Sequence, residues 1–253
     1  MATRPFREPE GPALYLLGGI ALQGVSPEQS ERLTTQSKVV ALLAYLALAA
    51  PGTFTRRDRI VGLLWPELDQ AHARTALRKA VHHARSVLGE DVLSSRGDEE
   101  VALAPDSLWS DVGAMRTAVE RGQLARAVEL YRGDLMPGFY LTECHDFDAW
   151  LEGERSALLE EAVAAAWALA KHLESGSNYT DASRLAKKAA RLDRTNERAL
   201  RRSLKMLDRL GDRAGALSLF DEFAKRLRKE LDVDPSVETL KMADDLRSGR
   251  PLA

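Results

Sequence analysis

Apolar residues recur with a helical period between residues 70 and 89 of the chain. They stand at Ala73, Leu77, Val81, Ala84 and Leu88, and steps of three or four residues place such positions along one side of an α-helix. Most of the other positions in this segment carry polar or basic side chains. The pattern predicts one long amphipathic helix, called the basic helix below, whose apolar side packs on a core and whose other side faces solvent.

Shorter elements surround the basic helix in the N-terminal part of the chain. Apolar runs closed by glycines predict two small strands, Thr34 or Thr35 is expected to cap a core helix, and Thr55 is expected to begin a second helix. The predicted elements are strands 13–18 and 20–23, helices 37–49, 56–64 and 70–88, and a hairpin of strands 92–95 and 100–103. This order predicts a winged helix-turn-helix with a small β-sheet over residues 13–108, whose third helix enters the major groove of DNA.

Beyond residue 109 the periodicity is helical throughout, and one spaced motif recurs. The three copies are Gly122-x4-Ala127-x3-Tyr131, Ser177-x4-Ala182-x3-Ala186 and Gly211-x4-Ala216-x3-Phe220. The last two copies begin 34 residues apart, which is the tetratricopeptide period. We interpret the small residue as allowing paired helices to approach closely. The pattern predicts an all-α, tetratricopeptide-like repeat domain over residues 109–253, with a generic helical bundle as the alternative, and either is more typical of an interaction scaffold than of an enzyme.

The composition fits a mainly α protein and limits where an anionic partner can bind. The chain has 253 residues, of which 45% are hydrophobic and 29% charged, and its net charge is −2, so any nucleic-acid binding must be local. A single cysteine, Cys144, excludes a disulfide within the chain and fits the cytoplasm. The apolar stretch at residues 39–50 is too short to span a membrane, so no membrane partner is expected. Residues 1–12 lack the apolar segment of a signal peptide and are expected to be a disordered lead-in.

The basic helix carries charge of one sign in a chain that is otherwise balanced. No acidic residue lies between Asp69 and Glu90, which indicates an anionic partner, most simply double-stranded promoter DNA. A solvated basic helix that binds nothing is the alternative. The candidate DNA-contacting residues are Arg74, Thr75, Arg78, Lys79, His82 and Arg85 on the basic helix, Thr55, Arg56 and Arg57 at the start of the preceding helix, and Arg96 in the hairpin.

Two of these assignments have alternatives. Arg85 lies beside the apolar positions Ala84 and Leu88, so it either contacts DNA or pairs with an acid. Asp58 stands among the arginines at the start of the preceding helix. Those arginines either hold a phosphate together with the free N–H groups and Thr55, or they pair with Asp58.

No motif for catalysis, cofactor binding or metal binding stands out in the sequence. Cys144 and His145 have acidic neighbours, but no second cysteine or spaced histidine pair accompanies them. His82 and His83 are adjacent, so on a helix they point about 100° apart and cannot share a metal. The nucleophile-and-base patterns of hydrolases are missing as well. We therefore expect no enzyme, no cofactor and no metal.

Motifs along most of the chain resemble, in order, those of the antibiotic regulatory protein (SARP) family. They are Leu63-Leu64-Trp65-Pro66-Glu67, Ala73-Arg74 with Leu77-Arg78, Ala84-Arg85 with Leu88-Gly89, Tyr131-Arg132-Gly133-Asp134-Leu135-Met136-Pro137-Gly138, Trp150-Leu151-Glu152, Asn196-Glu197-Arg198-Ala199, Leu210-Gly211-Asp212-Arg213 and Glu230-Leu231-Asp232-Val233-Asp234-Pro235. The resemblance covers about residues 13–247 and implies an OmpR-type winged helix followed by a bacterial transcriptional activator domain. It further implies a regulator that binds direct repeats in promoters, often as a homodimer, and recruits RNA polymerase through both domains.

The hairpin tip departs from the family pattern. Family wings present polar or basic residues, whereas Asp98, Glu99 and Glu100 are successive acids that repel a phosphate backbone at close range. One alternative is therefore a protein-interaction or signalling module with a degenerate winged helix, and another is a small-molecule ligand bound by the repeats. A continuous positive patch around the basic helix favours DNA binding, and acids flanking that helix favour the interaction module.

Overall fold

A computed structural model of the protein describes residues 11–49 and 52–252. The described residues divide into two units. Unit 1 is formed by the described residues up to 121 together with residues 129–158, and unit 2 by residues 122–128 and 159–252. Residues 1–10, most of the expected lead-in, lie outside the described residues.

Helices predominate, and short strands occur only toward the N-terminus of the described residues. The elements in chain order are β1 (Ala13–Tyr15), β2 (Ala21–Gln23), α1 (Pro27–Thr34), α2 (Ser37–Leu48), β3 (Thr55–Arg56), α3 (Arg57–Leu64), α4 (Gln70–Leu88), β4 (Leu93–Arg96), β5 (Glu100–Leu103), β6 (Trp109–Ser110), α5 (Asp111–Glu120), α6 (Leu124–Leu130), α7 (His145–Ser175), α8 (Tyr179–Leu192), α9 (Glu197–Arg209), α10 (Arg213–Leu231) and α11 (Val237–Arg247). The predicted fold class is confirmed: mainly α, with small N-terminal sheets and a helical repeat-like C-terminal region.

Two three-stranded sheets belong to unit 1. The first has the order β2-β1-β6, with β1 antiparallel to β2 and parallel to β6. The second has the order β3-β5-β4 and is antiparallel. Strands β4 and β5 form the predicted hairpin, and Gly97 supplies the positive φ of 57° that its turn requires. The strand β6 was not predicted, because its two residues are too few to show an alternating pattern.

The helix α1 was missed by the sequence analysis although its start carries a recognisable signal. The backbone N–H of Gln29 donates to the Ser26 hydroxyl (3.2 Å), and the backbone N–H of Ser26 donates to the Gln29 amide oxygen (3.0 Å). This reciprocal pair is a capping box, and Pro27 occupies the first turn, where its missing N–H costs nothing. The spacing of serine and glutamine was the available clue.

The expected capping role of Thr34 and Thr35 is wrong, because both residues stand at the end of α1. Their hydroxyls donate back to carbonyls of the preceding turn, that of Thr34 to Ser30 (2.8 Å) and that of Thr35 to Glu31 (2.8 Å). The next helix, α2, begins after Gln36, which makes no side-chain capping bond.

The core of the winged helix-turn-helix forms around α2 and α4. Every residue of α2 from Val39 to Leu48 is buried, and α4 contacts α1, α2 and α3. The predicted apolar side of the basic helix is confirmed except at its end, where Val87 is buried and Leu88 only half-buried. A period of 3.6 residues carries the buried side from Ala73 to position 87 after four turns, which explains the one-residue error.

Thr55 does not begin α3, contrary to expectation. It lies in β3, paired with Val101 of β5, and Arg56 is the residue that precedes the helix, with no side-chain capping bond. The β-branched Thr55 suits an extended strand, and the pairing with β5 overrides its preference for a capping position.

The segment around Gly133 is bound to the first sheet of unit 1. The backbone N–H of Met136 donates to the Leu16 carbonyl (2.7 Å), and that of Gly18 donates to the Asp134 carbonyl (2.9 Å). A Cβ on Gly133 would lie 2.9 Å from the Gly18 Cα, so the two backbone segments can approach this closely only because Gly133 has no side chain. This pairing places the beginning of the activator-domain resemblance in unit 1.

Asp111, at the start of α5, is fully buried and connects the residues that follow β1 to that helix. Its carboxylate accepts hydrogen bonds from the backbone N–H groups of Leu16 (2.9 Å), Leu17 (3.0 Å) and Val112 (2.9 Å). Burial raises the pKa of Asp111, while these hydrogen bonds and the Arg132 guanidinium at 3.9 Å oppose that rise. The residue therefore satisfies three backbone donors that would otherwise be buried without partners.

In unit 2, consecutive helices pack on one another, α8 on α9, α9 on α10 and α10 on α11. The interpretation of the small motif residues as points of close helix approach is wrong. Gly122, Ser177 and Gly211 have φ values of 67°, 60° and 76°, and a Cβ on either glycine would meet nothing within 4 Å. These residues provide left-handed turns before the next helix. The closely packed motif residues are the alanines, which are fully buried at Ala127, Ala182 and Ala216.

Candidate nucleic-acid interface

The basic helix α4 is terminated at both ends by its own sequence. The Asp69 carboxylate accepts hydrogen bonds from the backbone N–H groups of Ala71 (3.0 Å) and His72 (3.1 Å), and the His72 bond is the main cause of a lowered pKa of Asp69. At the other end Gly89 adopts a φ of 110°, which a glycine accepts without strain. The helix therefore extends over 19 residues.

Four of the predicted DNA-contacting residues lie exposed on α4: Thr75, Arg78, Lys79 and His82. They form the outer face, as it is called below. Arg78 donates to the Thr75 hydroxyl (3.2 Å), which itself donates to the Ala71 carbonyl (2.9 Å). Lys79 and His82 have no polar partner among the residues that the structure describes. No ion pair joins Arg78 or Lys79 to an acid within the same residues, so their charges are available to a ligand.

Arg74 is on the same helix but is engaged within the protein. Its guanidinium donates to the Asp58 carboxylate of α3 through Nε (3.2 Å) and Nη2 (2.8 Å). The Glu99 carboxylate lies 3.8 Å from Nη2 and belongs to the β4–β5 hairpin, residues 93–103, which is called the wing below. The hydrogen bond to Asp58 is the main cause of a raised pKa of Arg74. We call Asp58 and Glu99 the acidic pair. Because the acidic pair neutralises Arg74, this arginine is a weaker DNA-contact candidate than Arg78 or Lys79.

Arg57 and Arg85 attach the helices to the wing. Arg57 donates to the Ser95 hydroxyl (3.0 Å), and Arg85 donates to the Leu93 carbonyl (2.7 Å). Burial is the main cause of a lowered pKa of Arg57, which Asp98 opposes. Arg85 pairs with no acid among the described residues; it donates instead to a backbone carbonyl of β4. Both arginines position the wing.

The remaining candidates lie at the edge of this surface. Arg56 is exposed, and its Nη2 is 4.0 Å from the Asp58 carboxylate. Arg96 stacks over the Phe54 ring (4.0 Å) and donates to Glu100 (3.3 Å). Thr55 lies in β3 and is therefore not at the start of α3. The open question about Asp58 is answered in part, since it pairs with Arg56 and, more closely, with Arg74 from another helix.

Sequence reasoning missed the acidic pair as the partner of Arg74. Asp58 and Arg74 are 16 positions apart and belong to different helices, so no local spacing reveals their contact. The acids flank only the N-terminal half of α4, while the outer face continues beyond them to Lys79 and His82. The surface therefore combines the two charge patterns considered from the sequence, which are a positive patch on the basic helix and acids that flank it.

Across residues 11–49 and 52–252, no helix has the length and apolar character needed to cross a membrane. The same residues contain no group of three or more His, Cys, Asp or Glu side chains able to hold a metal ion.

Comparison with known proteins assigns the family. Residues 110–247 match the family model "Bacterial transcriptional activator domain". This match covers more than half of the chain, and the protein belongs to the bacterial transcriptional activator domain family. The resemblance to SARP-type regulators predicted from the sequence is confirmed.

A similar solved structure extends the agreement to the whole fold. It is Mycobacterium tuberculosis EmbR in complex with a low affinity phosphopeptide, with a TM-score of 0.60 at 19% sequence identity. The similarity covers 96% of this chain and 66% of that chain, so this chain spans slightly less than two thirds of the EmbR length. At this identity the likeness concerns the fold. No significant match was found among curated proteins.

Proposed function

We propose that this protein is a transcriptional regulator and that it binds double-stranded promoter DNA through the outer face of α4. The observation that carries the proposal is that Arg78 and Lys79 stand exposed and unpaired by any acid, among the described residues, on α4, the helix that precedes the β4–β5 hairpin of a winged helix-turn-helix core. In that fold this helix enters the major groove. Arginine can bond guanine bidentately, and lysine most often contacts phosphate.

The dimensions of α4 suit this role. Nineteen residues correspond to a length of about 28 Å at the helical rise per residue, and the major groove admits a helix of ordinary diameter. The activator-domain family supports an activating role, with RNA polymerase as partner and a homodimer on direct repeats as the bound form. These three points rest on the family resemblance.

Binding to duplexes from the region upstream of the gene, measured by fluorescence anisotropy over a salt series, tests the proposal. With about three phosphate contacts, the affinity should fall roughly 40-fold between ~50 and ~200 mM salt, since bound counterions are released on binding. A lack of binding at ~50 mM salt, with folded protein, would contradict DNA binding at those sites.

The alternative is an interaction module whose winged helix binds DNA weakly. The observation in its favour is the acidic pair, which neutralises Arg74 and places two carboxylates beside the proposed interface. On the DNA-binding account the same pair reduces affinity without abolishing it. The two accounts therefore differ in what removal of these charges does.

We expect the variant Asp58→Asn/Glu99→Gln to bind duplex DNA about three- to tenfold more tightly than the wild type. The variant removes two carboxylates that repel phosphate and leaves Arg74 available to the DNA backbone. This gain in DNA affinity exceeds the small stabilisation that is lost with the exposed ion pair. Equilibrium titration at ~100 mM salt measures the change. The control Glu230→Gln/Asp244→Asn removes the same charge from unit 2 and should leave the affinity unchanged. Equal affinities of variant and wild type would show that the acidic pair does not face the DNA.

A further inference from the structure

A groove of about 520 Å³ in unit 2 is lined mainly by basic side chains. Five of its residues come from α9 and are arginines or lysines, and Lys171 of α7 adds a further positive charge. Its charged lining consists of Lys171, Arg198, Arg201, Arg202, Lys205, Arg209 and Glu238. The groove therefore has an excess of positive charge, although the whole chain is slightly negative.

Two of these cations are neutralised within unit 2. Arg201 lies 3.6 Å from the Glu197 carboxylate and 3.3 Å from that of Glu238. Arg209 donates to both oxygens of Glu174 (3.0 and 3.2 Å). These ion pairs account for two of the six cations of the lining.

The other four cations have no acidic partner among the described residues. Lys171, Arg198 and Lys205 are exposed, and the Arg202 guanidinium stacks over the Trp167 ring at 4.1 Å. Stacking holds the guanidinium in one plane and leaves its N–H groups free at the edge, which prepares it for a bidentate bond to a carboxylate.

The spacing of these residues along α9 is unfavourable in the absence of a partner. Arg198 and Arg202, which both lack an acidic partner among the described residues, are four positions apart, and like charges at that spacing destabilise a helix. An anionic partner would remove this repulsion. The charge of the groove thus defines the chemistry of its ligand.

We propose that this groove binds an acidic peptide segment of a partner protein, with its Asp or Glu carboxylates on Arg198, Arg202 and Lys205. A concave site of this volume accommodates a few side chains of an extended peptide. The proposal goes beyond DNA binding by α4, and it gives the repeat helices a partner of defined charge.

The test uses the full chain and a fluorescein-labelled peptide of alternating Asp and Glu residues, followed by anisotropy. The variant Arg198→Glu/Lys205→Glu should bind this peptide about tenfold more weakly, because two attractive charges become repulsive. The control Lys225→Glu/Lys241→Glu makes the same change in net charge on exposed positions outside the groove and should change the affinity less than twofold. Arg202→Lys retains the charge but loses the planar fork, and a loss of about threefold is expected.

Three results would overturn the proposal. One is equal peptide binding by the wild type and Arg198→Glu/Lys205→Glu. Another is an equal loss in the control, which would indicate binding by overall charge alone. The last is displacement of the labelled peptide by oligothymidylate at a lower concentration than by unlabelled peptide, which would make a nucleic acid the occupant. Circular dichroism of each variant confirms that it is folded, and none of these measurements requires DNA binding by unit 1.

Discussion

The variant Arg78→Ala/Lys79→Ala is expected to bind duplex DNA about 100-fold more weakly than the wild type. A bidentate arginine–guanine contact contributes about 1–3 kcal/mol of discrimination, and loss of a phosphate contact adds to it, so a total of about 2.7 kcal/mol corresponds to that factor. Both side chains are exposed, and their removal leaves the buried side of α4 intact. Titration of a labelled upstream duplex at ~100 mM salt measures the loss.

Two comparisons make this result specific to the outer face. Lys225→Ala/Lys229→Ala removes two exposed cations from α10 in unit 2 and should change DNA affinity less than twofold. Arg74→Ala should cost less than Arg78→Ala, because Asp58 and Glu99 already neutralise Arg74. The account is contradicted if the α4 double variant retains wild-type affinity, or if Arg74→Ala has the larger effect.

The second large effect concerns stability. Asp111→Ala should lower the free energy of unfolding of unit 1 by about 4 kcal/mol, since it leaves the backbone N–H groups of Leu16, Leu17 and Val112 buried without acceptors, each at a cost of about 1–3 kcal/mol. Relief of the buried charge and entry of water offset part of the sum. Urea unfolding followed by tryptophan fluorescence reports on it, because Trp65, Trp109 and Trp150 lie in unit 1.

The conservative substitution separates hydrogen bonding from packing. In Asp111→Asn one oxygen remains to accept from Leu16 and Val112, while the amide nitrogen cannot accept from Leu17. We expect its destabilisation to fall between those of the wild type and the alanine variant. If Asp111→Ala unfolds at the same urea concentration as the wild type, water replaces the carboxylate. The hydrogen bonds of Asp111 to Leu16 and Leu17 would then not stabilise unit 1.

The parts of this fold that were predictable follow from local spacing. The basic helix was predicted to within a residue, because Asp69 and Gly89 are strong terminators and the apolar period is long. The hairpin was predicted from alternation on either side of Gly97. The helix α1 was missed although Ser26 and Gln29 form its capping box. It contains few apolar residues, so it shows no apolar period that would predict a helix.

The features of the candidate site that sequence analysis did not anticipate arise from tertiary contacts. Thr55 has the chemistry of a cap but pairs with Val101 across the second sheet. Arg74 has the position of a DNA-contacting residue but meets Asp58 from a neighbouring helix. The competing contact in each case is more than ten residues away in the sequence. Local patterns therefore identified the basic helix, and only the structure separated its engaged arginine Arg74 from the exposed Arg78.

The salt dependence of DNA binding, compared between the wild type and Arg78→Ala/Lys79→Ala on the same duplex, tests the central claim most directly. Each phosphate contact contributes about −0.9 to the slope of log affinity against log salt. If Lys79 holds a phosphate and Arg78 reads a base, the variant should lose affinity at every salt concentration and its slope should be shallower by about one. Identical slopes and affinities for the two proteins would contradict the claim that the outer face of α4 contacts DNA.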